Sequence, residues 1–81
     1  MELTVDVREN KTWYRWHEGG CNITILKSED CDFYTTAVDM AKDKWQIELI
    51  SYKAHTIQEA KSIAEQMVKI CQWYISPEPN L

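Results

Sequence analysis

The chain has 81 residues, 44% of them apolar with four Trp and four Tyr, and only two Gly and two Pro. That length makes one domain, the composition is globular rather than disordered, and no run approaches the roughly 20 apolar residues of a membrane-spanning helix. The net charge of −4 is uneven, with eight acids against four bases in residues 1–39 and five against five in residues 40–81. An acidic domain of this kind is a poor binder of phosphate backbones and suits a protein partner with a basic groove.

The opening segment alternates, with Leu3, Val5 and Val7 apolar and Thr4, Asp6 and Arg8 between them. A period of two predicts a strand with one buried face. The residues Met1-Glu2-Leu3-Thr4-Val5-Asp6 lack the basic region and apolar run of a signal peptide, so the chain reads as cytoplasmic. Glu9-Asn10 closes a two-residue turn into a second strand over residues 12–17, with Tyr14 and Trp16 on one face and Trp13, Arg15 and His17 on the other. Gly19-Gly20 supplies the positive φ angles of a tight hairpin turn. A third strand follows over 21–27, with Cys21, Ile23 and Ile25 on one face. Residues 28–31 make a polar turn, a fourth strand covers 32–40, Lys42-Asp43 closes another turn, and a fifth strand covers 45–52 with Trp45, Ile47 and Leu49 on its apolar face.

Thr56-Ile57-Gln58-Glu59 matches a capping box, in which Thr56 accepts from the Glu59 amide and the Glu59 carboxylate reaches back to the Thr56 amide. Behind it Ile57, Ala60, Ile63, Ala64, Met67, Ile70, Cys71 and Tyr74 recur at spacings of three and four, the buried stripe of a helix. Ser76-Pro77 ends that helix. The expected fold is α+β: an antiparallel β-meander of four to five strands with one C-terminal helix packed on one face, a single domain over residues 1–76 and a short tail over 77–81.

Taking each turn as tight pairs Val5 with Tyr14, Trp16 with Ile23, Tyr14 with Ile25, Ile25 with Tyr34, Met40 with Trp45 and Val38 with Ile47, all on one face. The same register places Trp13 opposite Leu26, Leu26 opposite Phe33, Phe33 opposite Tyr52 and Ile50 across from Thr35 on the other face. One helix covers one face of a sheet, so Trp13, Leu26, Phe33, Ile50 and Tyr52 form an apolar stripe on the side left open. Cross-strand packing within the sheet is the bland account of such a stripe, and a contact surface for another protein or a second copy is the functional one. The acidic group Glu29, Asp30, Asp32, Asp39 and Asp43 maps to turns and strand ends, where it is either solvated turn charge or a lure for a basic surface on a partner.

No motif for chemistry emerges. The three cysteines are odd in number, irregularly spaced and without a CxxC pair, which predicts free thiols. His17, Cys21 and Cys31 fit no standard metal spacing, neither cysteine is accompanied by a glycine-rich oxyanion turn, and there is no phosphate-binding loop. The expectation is a non-enzymatic domain without catalytic residues, metal or cofactor.

The helix sequence Thr56-Ile57-Gln58-Glu59-Ala60-Lys61-Ser62-Ile63-Ala64-Glu65, preceded by short Trp-containing hairpins, resembles a pattern of small bacteriophage and prophage proteins in which a strand meander is followed by a T-x-x-E-A-K-x-x-A-E helix. The match covers about a quarter of the chain. That group includes anti-CRISPR inhibitors of bacterial defence complexes, which are small, often acidic and act by occlusion. The resemblance implies a phage-encoded inhibitor working in the cytoplasm of a bacterial host on a protein partner, such as a basic nucleic-acid-binding complex. It carries over no binding residues, because the group shares no motif for them. The alternatives are a homodimeric structural or regulatory protein using the same sheet face, and a single-stranded nucleic-acid binder stacking bases on the sheet aromatics, which the net negative charge disfavours.

Overall fold

The computed structural model describes residues 2–75, so the terminator Ser76-Pro77 and the tail 77–81 lie outside the described residues. Five strands, β1 (Thr4–Arg8), β2 (Lys11–Glu18), β3 (Cys21–Ser28), β4 (Tyr34–Lys42) and β5 (Trp45–Ala54), precede one helix, α1 (Ile57–Ile75). The strands form one antiparallel sheet in chain order, β1-β2-β3-β4-β5. The fold is α+β, with the helix across one face.

The first two hairpins pair as their turns dictate: Val5 faces Tyr14, Tyr14 faces Ile25, and Trp16 faces Ile23. The next two are displaced by two residues. Ile25 pairs with Thr36 rather than Tyr34, and Val38 pairs with Leu49 rather than Ile47. The loop between β3 and β4 runs through Phe33, and the last turn is Asp43-Lys44. Asp43 takes φ 56° there, a left-handed conformation that aspartate tolerates. A displacement of two keeps every side chain on its expected face, because the side-chain period is two.

The inner face holds the core. Trp16, Cys21, Ile23, Ile25, Val38 and Met40 from the sheet meet Ala60, Ala64, Met67, Val68 and Cys71 from the helix. Small residues at Ala60, Ala64 and Cys71 let the helix lie close to the sheet, and each is fully buried. Full burial of Ile23, Ile25 and Val38 stabilises the fold by ~1.5–3 kcal/mol per side chain. Gly19 completes the joint. Its φ is +61°, and an added Cβ there would collide with the Gln72 side chain, whose Nε2 donates to the Gly19 carbonyl at 2.9 Å.

The helix starts on its cap: the Glu59 amide donates to Thr56 Oγ1 at 3.0 Å. The Glu59 carboxylate accepts from the His55 amide at 2.7 Å instead of the expected Thr56 amide, one residue further back. The helix covers β3, β4 and β5 and stops short of β1. The expected buried face of β1 is therefore open, with Leu3, Val5 and Val7 at 42%, 52% and 66% exposure. Trp45, expected in the core, pairs with Lys42 at the strand end and is 71% exposed. Ile70 and Tyr74, expected in the buried helical stripe, are exposed: Ile70 lies at the flank of the stripe, beside the buried Val68 and Cys71, and Tyr74 lies beyond Cys71.

Candidate functional site

The outer face of the sheet carries the residues singled out from the sequence. β2 and β3 bring Trp13 and Leu26 directly opposite each other. Leu26 then faces Thr35, not Phe33, which sits in the loop before β4, diagonal to Leu26. Phe33 nevertheless meets Tyr52: the two rings contact edge to face, with centroids 6.3 Å apart at 82°. Ile50 faces Ala37 rather than Thr35. A bulge between the pairs Thr36–Ser51 and Tyr34–Ala54 adds one residue to β5 and carries Tyr52 toward Phe33.

The five residues differ in exposure. Ile50 and Tyr52 are exposed, while Trp13, Leu26 and Phe33 are half-buried. Trp13 is braced by Arg15, whose guanidinium lies 5.6 Å from the ring centroid. Arg15 also approaches Asp6 at 3.9 Å, and Arg8 pairs with the same carboxylate at 3.2 Å. Small side chains, Thr24, Thr35 and Ala37, form a flat floor between Trp13 on one side and Ile50, Tyr52 and Phe33 on the other. The strip is therefore a shallow apolar surface with aromatic rims.

The five acids do not form one cluster. Glu29, Asp30 and Asp32 lie in the β3–β4 loop, beside the Glu9-Asn10 turn, to which the Glu29 amide is tied by a 2.9 Å bond to the Asn10 carbonyl. Asp43 lies in the turn at the opposite end of the sheet. Asp39 lies near that end on the outer face, accepting from Asn22 Nδ2 at 3.0 Å. The length of β4, roughly 30 Å at 3.3 Å per residue, separates the two groups.

The sequence reasoning missed a second exposed apolar group. Trp45, Ile70, Trp73 and Tyr74 sit at the Gly19-Gly20 end, and Trp73 and Tyr74 pack edge to face at 5.1 Å. The available signal was position, since Trp45 directly follows a turn and Trp73 falls off the helical stripe.

The candidate chemical groups are dispersed. His17 is exposed on the outer face, Cys21 is buried on the inner face, and Cys31 lies in the loop at the far end. Among the described residues no group of three His, Cys, Asp or Glu side chains could hold a metal ion. Cys21 and Cys71 meet in the core. Burial pushes the Cys21 thiol up to about 11, helped by Cys71, Asp39 and Glu18 nearby. Burial also raises Cys71, opposed by the neighbouring Cys21 thiol and helped by Asp39. Both thiols stay protonated at neutral pH and act as small core side chains rather than nucleophiles.

Compared with protein-family models, with curated proteins and with solved structures, the chain finds no match. Among the described residues no helix is long and apolar enough to cross a membrane.

Proposed function

We propose that this chain is a non-enzymatic protein-binding module that receives a protein partner on its outer sheet face and acts by occluding a surface of that partner. One observation carries this: the face opposite the helix is uncovered, yet it holds an organised strip of Trp13, Leu26, Phe33, Ile50 and Tyr52. A contiguous exposed apolar strip favours association, and aromatic anchors dominate the energetics of protein interfaces. Rings already held by Arg15 and by each other lose little freedom on binding. The net charge of −4 works against a phosphate backbone, which favours protein over nucleic acid.

Glu29, Asp30 and Asp32, at the Phe33 end of the strip, are the acids placed to steer a basic rim toward it. Asp39 and Asp43 lie toward the other end and steer less. A phage-encoded inhibitor of a bacterial defence complex is the form of this activity that the helix resemblance suggests.

The test is affinity capture from bacterial lysate with the tagged chain and its Trp13→Ala/Phe33→Ala double variant, read by mass spectrometry. A partner held by the wild type and lost by the variant, with circular dichroism unchanged, supports the outer face. Equal capture by both overturns it as the binding site.

A further inference from the structure

The two edges of the sheet differ. β5 runs beneath the helix and carries a bulge near its end, which blunts an edge. β1 has neither cover nor bulge. A small groove of about 90 Å³, lined by Leu3, Trp16, Glu18, Lys61 and Glu65, marks where the helix flank stops short of it.

The two-residue turn Glu9-Asn10 also decides which backbone groups of β1 are free. It makes Arg8 and Lys11 a hydrogen-bonded pair. The alternation then assigns the groups of Thr4, Asp6 and Arg8 to β2 and turns those of Leu3, Val5 and Val7 outward. The three residues with exposed apolar side chains are thus the three with unpaired backbone.

Only a few partners in register satisfy both rows, and charge selects among them. We infer that a second copy of this chain pairs antiparallel with β1, with Val5 on the two-fold axis, joining two five-stranded sheets into one of ten strands. In that register Leu3 faces the partner's Val7 on the inner side, so every free backbone group from Leu3 to Val7 finds a mate. On the outer side Glu2 faces the partner's Arg8, and Thr4 faces the partner's Asp6. Moving the axis to Asp6 sets that carboxylate against itself, and moving it to Thr4 sets Glu2 against the partner's Asp6. Like charges directly opposite destabilise a strand pair, so Val5 is the axis that the strand's charges permit. The apolar rows of the two copies, with Tyr14 and Trp16 behind them, then line a seam between the two helices. This inference stands independently of the outer-face reading.

Sedimentation velocity over a concentration series tests it. The wild type is expected to approach twice 9.6 kDa at high concentration. Val5→Lys places two ammonium groups on the axis and is expected to stay monomeric with an unchanged fold. Glu2→Lys is expected to weaken the dimer roughly tenfold at low salt, and Glu2→Lys/Arg8→Glu to restore it. Trp13→Ala is expected to leave the dimer intact, which separates edge pairing from association through the outer face. A wild type that remains monomeric throughout, a dimer indifferent to Val5→Lys, or a double charge swap weaker than the single change would each overturn the inference. Should Val5→Lys fail to fold, the charge-swap pair decides.

Discussion

The β1–β2 hairpin and the β3–β5 part of the sheet share the same apolar-polar alternation, but they meet different fates. On β3 and β4, Ile23, Ile25 and Val38 disappear under the helix, whereas on β1 Leu3, Val5 and Val7 remain open. Alternation states which side chains share a face. It does not state whether anything lies on top of them. The helix is about 10 Å across and the strands about 4.8 Å apart, so one helix covers two or three strands of a five-stranded sheet. The strands left over must be stabilised by pairing, by ring contacts such as Trp16 on the core margin, or by a partner.

The contrast can be broken most sharply by matched truncations. Ile23→Ala is expected to cost about 2–5 kcal/mol, while Val7→Ala changes the stability of the monomer by less than about 0.5 kcal/mol. Urea titrations at a concentration low enough to keep the protein monomeric would check both, and equal losses would mean that β1 is covered after all. The joint between the two regions comes next. Gly19→Ala forces a side chain into a left-handed turn and against Gln72, for a loss of ~2 kcal/mol. It should also free the helix end, read as faster amide exchange from Val68 to Gln72. The smallest effect has the opposite sign. Thr36 Oγ1 is buried beneath the helix without a hydrogen-bond partner among the described residues. Thr36→Val is therefore expected to raise stability by about 1 kcal/mol, measured as a higher urea midpoint at constant slope.

Much of this was legible in the residues. The strand order, the helix, its cap at Thr56 and the faces of the core residues on β2, β3 and β4 follow from turn chemistry and periodicity, whereas Ala54 on β5 comes inward only through the bulge. The Trp13–Leu26 pair followed too, because Gly19-Gly20 leaves only one register for its hairpin. Polar turns were harder to place. Residues 28–33 offer several polar positions at which a chain could reverse, and Asp43 rather than Lys42 accepts the left-handed backbone. The neighbours of Leu26 and Ile50 were misassigned for that reason, although their faces were not. The reach of the helix was obscured because periodicity marks a stripe without marking where the sheet beneath it ends. Tyr74 continues the stripe beyond the buried Cys71, and Ile70 marks the flank at which the stripe stops facing the sheet.

The bulge in β5 has a consequence for what this stretch of chain tolerates. Up to Ser51 the odd positions of the strand point inward, and after it Ala54, an even position, is the one buried. The extra residue acts as a frameshift in an inside–outside code of period two. It lets Ile50 and Tyr52 face outward and still launches the helix from the inner side. Tyr52, Lys53 and His55 are all exposed, so the fold constrains their identities little. Their number is another matter. Loss of Lys53 would remove the bulge and leave Ala54 inward by plain alternation opposite Tyr34, whereas one further residue would push Ala54 to the outer phase and send the helix off the wrong side of the sheet, so the segment is free in composition and limited in length by the phase of Ala54.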